Sequence, residues 1–207
     1  PLLSITVKNQ QSKKIIVWGI QPYKNTREDV TYIRCPNEHD LIMEFMSFWT
    51  KNYPDVITGW NTDFFDIPYL ANRIKQVCGE DKMRELSPWK NVSSKQIYSM
   101  GRNHLMYDIM GVSQYDYLQL YQKFTYIRQE SYKLDYIASV ELGEKKDENP
   151  YETFREWYEN DFQSFIDYNI QDVEIVDKLE DKMGLIDLAL TMACLLYTSP
   201  SPRDTSS

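Results

Sequence analysis

Hydrophobic and polar residues alternate over the first part of the chain in the pattern of short β-strands separated by turns. Ile5 and Val7 alternate with polar neighbours, a polar segment follows at residues 9–14, and an apolar run covers residues 15–20. Residues 31–35 form another short segment rich in β-branched and aromatic side chains. Alternation with a period of two residues indicates strands. We therefore expect three strands before the first helix.

Apolar residues at helical spacing predict four main helices. The first extends from about residue 39 to 52, and the second follows Pro68, which suits the first turn of a helix. Ser131 can cap a third helix, which is expected to end at Gly143. The fourth is predicted as one long helix, from Asp161 to about residue 190.

The remaining segments predict a hairpin and further strands. Residues 95–100 and 104–109 flank Gly101-Arg102-Asn103, a pattern typical of a β-hairpin with a polar, basic tip. A short buried strand at residues 56–57 leads into a loop, and residues 115–124 form a strand end followed by a short helix. Strands that alternate with helices predict an α/β domain with a mixed sheet.

The composition fits a folded domain with a hydrophobic core. The chain has 207 residues, of which 42% are hydrophobic and 26% are charged, enough for one good-sized domain or two small ones. No stretch reaches the roughly 20 apolar residues that a membrane span requires, and the N-terminus lacks the features of a signal peptide. Three widely spaced cysteines favour neither a disulfide framework nor a metal cluster. We expect an intracellular, cytoplasmic protein without a membrane partner.

Charge is distributed unevenly along the chain. The formal net charge is −8, which by itself argues against a nucleic-acid partner. Residues 82–133, however, carry eight basic and four acidic side chains, a local charge of +4, and residues 134–184 carry five and fifteen, a local charge of −10. This order fits a protein that holds divalent cations and contacts a polyanion. It equally fits a solvated acidic helix beside an ordinary loop.

Two groups of polar side chains carry candidate chemistry. Asn61, Phe65 and Asp66 follow a short apolar strand, and strand ends are where α/β proteins place ligand sites. Tyr168 and Asp172 are four residues apart in the long helix and therefore share one face. Carboxylates from different elements can hold two Mg²⁺ or Mn²⁺ ions for phosphodiester hydrolysis, while a tyrosine hydroxyl orients the attacking water. The amide of Asn61 and the aromatic ring of Phe65 suit the binding of single-stranded nucleic acid, by hydrogen bonds and by stacking.

Each of these residues also has a purely structural interpretation. Asp66 can cap the helix that follows it, a role compatible with binding metal. Tyr168 and Asp172 can form a surface pair on an amphipathic helix, and Phe65 can belong to the core. Asp116 precedes an apolar run, so we expect it to cap or hold a helix rather than to bind metal, with a supporting role beside the metal site as the alternative.

Both groups resemble motifs of one known family. Asn61-x-x-x-Phe65-Asp66 is similar to the second exonuclease motif of family B DNA polymerases, and Tyr168-x-x-x-Asp172 is similar to the third. The likeness is greatest to the replicative polymerases of tailed phages, and it extends to about residue 190 with the motifs in the family's order and spacing. Further segments that share it are Gly59-Trp60-Asn61, Asp116-Tyr117-Leu118, Ser131-Tyr132 and Leu134-Asp135-Tyr136-Ile137.

The resemblance implies a fold and a set of site residues. The fold would be RNase H-like (DnaQ-like), an α/β exonuclease fold with a mixed central sheet, flanking helices and an inserted β-hairpin, here at residues 95–109, that helps to pass the primer between sites. The activity would be 3′–5′ proofreading hydrolysis of single-stranded primer DNA with two Mg²⁺ or Mn²⁺ ions. The implied catalytic residues are Asp66, Asp172, Tyr168 and Lys146; the implied metal ligands are Asp66 and Asp172; the implied DNA contacts are Asn61, Phe65 and Tyr132. Lys145 is the alternative to Lys146 as the phosphate contact.

One motif of the family has no counterpart in the chain. The first exonuclease motif, Asp-x-Glu, is expected on a strand just upstream of Pro1, and no polymerase motif follows the exonuclease segment. We therefore expect a truncated fragment that comprises an exonuclease domain at residues 1–190 and a non-native tail at 195–207. Without the Asp-x-Glu carboxylates, it would bind metal weakly and hydrolyse DNA poorly.

The same resemblance implies the partners and the setting. These are the single-stranded 3′ end of a primer-template, the polymerase domain of the same parent chain, and, as a further candidate, a sliding clamp, all in the cytoplasm of a phage-infected host cell. Two other functions are considered. One is an RNase H-like DNA-binding module without catalysis, and the other is a stand-alone ribonuclease or resolvase of the same fold.

Overall fold

A computed structural model describes residues 1–99, 101–143, 151 and 153–198, and this part of the chain contains seven strands and eight helices. The strands are β1 (Ser4–Lys8), β2 (Ile15–Gly19), β3 (Val30–Arg34), β4 (Val56–Gly59), β5 (Val92–Ser99), β6 (Arg102–Ile109) and β7 (Ser113–Asp116). The helices are α1 (Glu38–Lys51), α2 (Asp66–Cys78), α3 (Glu80–Arg84), α4 (Tyr117–Phe124), α5 (Leu134–Leu142), α6 (Phe154–Asn160), α7 (Phe162–Met183) and α8 (Leu185–Thr198). The α/β class predicted from the sequence is confirmed.

The first three strands form a mixed sheet in the order β1-β2-β3. Strands β1 and β2 are antiparallel, whereas β2 and β3 are parallel. Successive side chains of a strand point to opposite faces. In β2, Ile15 and Val17 accordingly belong to one hydrophobic cluster, while Ile16 and Trp18 belong to another.

Helices cover both faces of this sheet. On one face, α1 and α2 bury an apolar cluster around Trp18, and on the other face α6 and the first half of α7 pack over Ile15 and Val17. A third cluster joins α4, α5, the second half of α7 and the start of α8. Helix α7 therefore contacts two clusters, which fixes its position relative to β1.

The other strands form two separate pairs. Strands β4 and β7 are parallel, so that Gly59 lies opposite Asp116 where both strands end. Strands β5 and β6 form the antiparallel hairpin that the sequence predicts at residues 95–109. In the described residues, the strands thus form three small sheets rather than one continuous central sheet, and the mixed sheet has three strands.

Two helix predictions need correction. The long helix expected from Asp161 to residue 190 is interrupted, because Gly184 adopts a left-handed conformation (φ 60°) that ends α7 before α8 begins. Ser131 does not cap α5, which begins at Leu134; its hydroxyl instead accepts a hydrogen bond from the backbone N–H of Lys133 at 3.3 Å. The predicted end at Gly143 is confirmed.

Some elements were not predicted. The short helices α3 and α6 had no counterpart in the sequence-based assignment. Helix α8 continues to Thr198 and so enters the segment interpreted as a non-native tail, and the limits of domain and tail stay predictions. None of the described helices combines the length and the apolar character needed to cross a membrane.

Candidate active site

The loop at residues 59–66 connects β4 to α2 and carries the first group of candidate residues. A Cβ atom on Gly59 would lie 2.5 Å from Cγ2 of Thr62, so a larger residue here would force the Thr62 side chain to move. Asn61 has a positive φ of 63°, a left-handed conformation that asparagine tolerates better than most residues. Phe65 occupies the N-cap position of α2, and Asp66 is the first residue of the helix. The interpretation of Asp66 as the helix cap is therefore wrong.

Asp116 holds this loop from the neighbouring strand. The residue is only 3% exposed. Its Oδ1 accepts hydrogen bonds from the backbone N–H groups of Asn61, at 2.9 Å, and Leu118, at 3.0 Å, while its Oδ2 accepts one from Asp63 at 3.2 Å. The bond from Leu118 caps α4, as predicted. The contacts with the loop were not predicted from the sequence.

Helix α7 presents the second group. The Nδ2 of Asn169 donates to Oγ of Ser4 at 3.2 Å, which ties this part of the helix to β1. The ring of Tyr168 packs edge-on against Trp157, with ring centroids 4.8 Å apart. Asp172, one turn further along the same helix face, is half-buried, and its Oδ1 is shielded from solvent.

Asp66, from the loop, and Asp172, from α7, interact through their charges. The pKa of Asp66 is raised to about 6, first by desolvation and then by the negative charges of Asp116 and Asp172. Asp66 remains exposed as a residue, so the protein packed around its carboxyl group, rather than full burial, accounts for this desolvation. The fold thus brings Asp66 and Asp172, which are far apart in the sequence, close enough for their charges to interact.

This arrangement is suited to a divalent cation. Two carboxylates that repel each other are stabilised when a cation lies between them, and hard oxygen ligands favour Mg²⁺ or Mn²⁺. Within the described ranges, no set of three or more histidine, cysteine, aspartate or glutamate side chains is arranged to hold a metal ion. The carboxylates of Asp66 and Asp172 would therefore form only part of a ligand set.

Phe65 is a surface residue. It is 64% exposed, and its ring lies parallel to that of Tyr69, with centroids 6.3 Å apart and an interplanar angle of 6°. The interpretation of Phe65 as a core residue is therefore wrong. An exposed pair of parallel rings next to Asp66 is the kind of surface on which a nucleobase can stack.

Tyr132 is connected to the same loop through Trp60. The indole Nε1 of Trp60 donates to the backbone carbonyl of Tyr132 at 3.0 Å. The ring of Tyr132 is half-buried and packs edge-on against Tyr121, and its hydroxyl accepts a hydrogen bond from the backbone N–H of Gln129 at 3.4 Å. The structure thus places Tyr132 beside the residue that precedes Asn61.

The remaining residues of interest are the proposed phosphate contacts and Asp63, the other acid of the loop. Lys146 and its alternative Lys145 lie outside the described residues. Asp63 lies in the loop and accepts a hydrogen bond from Nε2 of Gln119 at 3.0 Å. The pKa of Asp63 is raised, first by burial and then by the charge of Asp116.

Comparisons with known proteins identify the family of the chain. The family model described as "DNA polymerase family B, exonuclease domain" matches residues 3–137. The chain is 39% identical over 167 residues to the DNA-directed DNA polymerase of Escherichia phage RB69 and 40% identical over 165 residues to that of Enterobacteria phage T4. These matches cover 80% and 79% of the chain but only 18% of each phage protein. A DNA polymerase delta catalytic subunit from Candida albicans is 36% identical over 118 residues, which cover 54% of the chain and 11% of that protein.

These matches define first a class of enzyme, the polymerases with an exonuclease domain. More specifically, the chain belongs to the exonuclease domain family of family B DNA polymerases, and it is similar to the phage members of that family. It spans about a fifth of the length of these phage relatives.

Proposed function

We propose that the chain is the 3′–5′ proofreading exonuclease portion of a phage family B DNA polymerase, and that it hydrolyses the 3′-terminal phosphodiester of single-stranded primer DNA. The observation that carries this proposal is that Asp66, the first residue of α2, lies close enough to Asp172 on α7 for the charge of Asp172 to help raise the pKa of Asp66. Membership of the family supports it, and the segment that matches the family model, residues 3–137, includes Asp66.

Asp66 and Asp172 would hold Mg²⁺ or Mn²⁺. When bound, such ions neutralise charge on the phosphate, favour ionisation of a water molecule and stabilise the leaving oxygen. Tyr168 would orient the attacking water through its hydroxyl, while the packing of its ring against Trp157 and Phe154 fixes its direction. The resemblance also makes Lys146 the proposed phosphate contact.

The substrate would bind across the loop at residues 59–66. Asn61 offers an amide to the strand, and the exposed ring of Phe65 offers a stacking surface for a terminal base. Tyr132 would contact the strand beside Trp60. The partner implied by these contacts is a single-stranded 3′ end, because bases inside a duplex have both faces covered by their neighbours, whereas the bases of a single strand are open to stacking.

The proposed fold is RNase H-like. A mixed sheet of three strands with helices on both faces, and a separate parallel pair that ends at the candidate site, support it. The hairpin β5-β6 would help to pass the primer between the exonuclease site and a polymerase domain of the same parent chain. A sliding clamp is a further proposed partner, and the phage relatives favour the cytoplasm of an infected cell as the setting.

We also propose that this chain alone is a weak nuclease. Two carboxylates are a small ligand set for a pair of divalent ions, and the described residues offer no third acidic, histidine or cysteine ligand to the group. An Asp-x-Glu strand would complete it. The test therefore uses the extended chain, which is this chain with an added N-terminal strand that carries Asp-x-Glu.

The experiment measures Mg²⁺-dependent release of mononucleotides from a primer with a mispaired 3′ end. We expect the extended chain to release them much faster than this chain, and Asp172→Asn to abolish the release. Asp181→Asn is the matched control, because Asp181 lies on the same helix but is exposed and pairs with Lys13. Its rate should equal that of the unchanged extended chain.

Two results would contradict the proposal. Full activity in Asp172→Asn would remove Asp172 from the mechanism. Tight binding of the primer by the extended chain without any release of nucleotides would favour the second candidate, a DNA-binding module without catalysis.

A further inference from the structure

Strands β4 and β7 end side by side at the candidate active site. Gly59 and Asp116 are paired in the parallel register, so the loop that leaves β4 and the helix that follows β7 begin at the same edge. Asp116 occupies the last position of β7, and its side chain is buried between the loop and α4. The carboxylate of Asp116 therefore lies within hydrogen-bond distance of both the loop at residues 59–66 and the start of α4.

This carboxylate accepts hydrogen bonds from both segments. The loop donates the backbone N–H groups of Asn61 and Asp63, and α4 donates that of Leu118. The side chain of Gln119 lies between the two acids, with its Nε2 at 3.0 Å from Oδ2 of Asp63 and 3.5 Å from Oδ2 of Asp116. In the described part of the chain, no lysine, arginine or histidine forms an ion pair with Asp116. Backbone donors, including those at the start of α4, stabilise the buried charge.

We infer that Asp116 is a positioning residue for the candidate active site: its carboxylate fixes the backbone at residues 61–63 and thereby the placement of Asn61 and Asp66. The left-handed conformation of Asn61 is unfavourable for an L-residue. Its N–H bond to Asp116 offsets that cost. The backbone N–H of Phe65 in turn donates to the carbonyl of Asn61 at 3.1 Å, which carries the constraint to the residue before Asp66.

The arrangement requires a carboxylate rather than a generic helix cap. A serine or threonine hydroxyl can accept the bond from Leu118, but it offers one oxygen on a shorter side chain. In Asp116, Oδ1 accepts from both segments, at Asn61 and Leu118. The bond from Asp63 requires the second oxygen, Oδ2, so a shorter side chain with one oxygen cannot make all three bonds. The loop contacts and the cap are therefore separable by substitution.

The test compares Asp116→Ser with Asp116→Ala by amide hydrogen exchange in this chain. Serine keeps the cap of α4 but loses the loop contacts, whereas alanine loses both. In Asp116→Ser we expect exchange at Asn61 and Asp63 to become at least about tenfold faster, since hydrogen bonds to a charged acceptor are lost. Exchange at Leu118 should change little in Asp116→Ser and accelerate in Asp116→Ala. Unchanged exchange at Asn61 and Asp63 in both variants would overturn the inference.

Asn37→Ala is the matched control for loss of a helix cap. Asn37 accepts a hydrogen bond from the backbone N–H of Asp40 at 2.9 Å and caps α1, away from the loop. Its replacement should lower the melting temperature without changing exchange at Asn61 and Asp63. An equal acceleration there would show that general destabilisation, not Asp116, controls the loop.

The consequence for hydrolysis rests on the proposed function and has its own measurement. In the extended chain, Asp116→Ser should lower kcat at least about tenfold, because a displaced loop misplaces a metal ligand. Asn37→Ala, at a similar or larger loss of melting temperature, should keep the kcat of the unchanged protein. If kcat instead follows the melting temperature in every variant, Asp116 has only a structural role. If the unchanged extended chain is inactive, the proposed function fails, and the exchange measurement still decides whether Asp116 positions the loop.

Discussion

The ammonium group of Lys8 lies 2.6 Å from Oδ2 of Asp177, and this ion pair joins β1 to α7. Lys13 contacts the other oxygen of Asp177 at 2.9 Å, and the Asp177 side chain is only 8% exposed. Because α7 also carries the candidate residues Tyr168 and Asp172, the pair helps to fix their helix relative to the sheet. It is the clearest electrostatic contribution to the geometry of the candidate site.

The Asp177 contacts predict a loss of stability in acid. Burial alone would raise the pKa of Asp177, but the hydrogen bonds and charges of Lys8 and Lys13 outweigh it and lower the pKa. A carboxylate with a lower pKa in the folded than in the unfolded state contributes stability above about pH 4, and this is lost as the pH falls through the folded value. We expect Asp177→Asn to lower the free energy of unfolding by roughly 1–3 kcal/mol at pH 7. The free energy of unfolding of this variant should also fall less steeply as the pH is lowered. Urea unfolding between pH 7 and pH 3 measures both effects.

The neighbouring acid on the same helix provides the control. Asp181 is 59% exposed on its side chain and contacts Lys13 at 3.3 Å. Its replacement by asparagine should change the free energy of unfolding by less than about 1 kcal/mol at pH 7. Equal losses for the two variants would show that the buried contact with Lys8 contributes nothing specific.

Trp60 and Trp49 offer a matched pair of indole hydrogen bonds. Each donates from Nε1 to a backbone carbonyl, Trp60 to Tyr132 and Trp49 to Leu86. Replacement of either by phenylalanine should lower the free energy of unfolding by roughly 1–2 kcal/mol, since a carbonyl loses its donor. Only Trp60→Phe should also weaken binding of a single-stranded oligonucleotide, because it loosens the segment that carries Tyr132. Fluorescence anisotropy of a labelled oligonucleotide checks this, and equal affinities for the two variants would contradict it.

Phe65 should contribute to binding of DNA and hardly to stability. A base stacked on an aromatic side chain contributes about 1–3 kcal/mol, so Phe65→Leu should weaken oligonucleotide binding roughly tenfold. The ring is mostly exposed, so the melting temperature should stay nearly unchanged. Trp89, which is 68% exposed, is the control for loss of a surface aromatic residue. If Trp89→Leu weakens binding as much as Phe65→Leu, the contacts are non-specific.

Local patterns predicted the elements that depend on local interactions. The hairpin β5-β6 follows from two β-rich segments around a glycine, and the cap of α4 follows from an aspartate before an apolar run. The break at Gly184 was not predicted, because apolar residues continue at helical spacing across it, at Leu179, Met183 and Ile186. Helix α6 was missed because seven residues rich in charged and aromatic side chains give little periodic signal.

The candidate site could be predicted only in part, because part of it depends on contacts between residues that are far apart in the sequence. The position of Tyr168 and Asp172 on one helix face follows from their spacing. The approach of Asp66 to Asp172 depends on how the tertiary fold places the loop at residues 59–66 relative to α7, and no local pattern contains that information; the family resemblance supplied it. The contacts of Asp116 with Asn61 and Asp63 depend on the register of β4 and β7, which the sequence does not display.

Gly184 provides a direct test of the break between α7 and α8. Its φ of 60° is unfavourable for residues with a Cβ atom, while no described atom lies within 4 Å of the place a Cβ would occupy. Gly184→Ala should therefore cost about 1–2 kcal/mol through backbone strain alone. Gly184→Asn should cost less, because asparagine tolerates this conformation. Thermal unfolding compares the two, and a more stable alanine variant would indicate one continuous helix.

The role of Tyr168 can be separated from that of the metal ligands. Tyr168→Phe removes only the hydroxyl and keeps the ring contacts with Trp157 and Phe154. In the extended chain, kcat for nucleotide release should fall roughly 10–100-fold, because a group that orients the attacking water is lost while the metal ligands remain. Asp172→Asn should lose all measurable activity.

Tyr23 supplies the control for this last comparison. Its hydroxyl donates to Oδ1 of Asp167 on α7 at 2.7 Å, so Tyr23→Phe also removes a tyrosine hydroxyl that contacts the same helix. We expect kcat to be unchanged in Tyr23→Phe. An equal loss in Tyr23→Phe and Tyr168→Phe would mean that both hydroxyls act only by holding α7. An unchanged kcat in Tyr168→Phe would remove its hydroxyl from the reaction and leave the carboxylates of Asp66 and Asp172 as the catalytic groups of this chain.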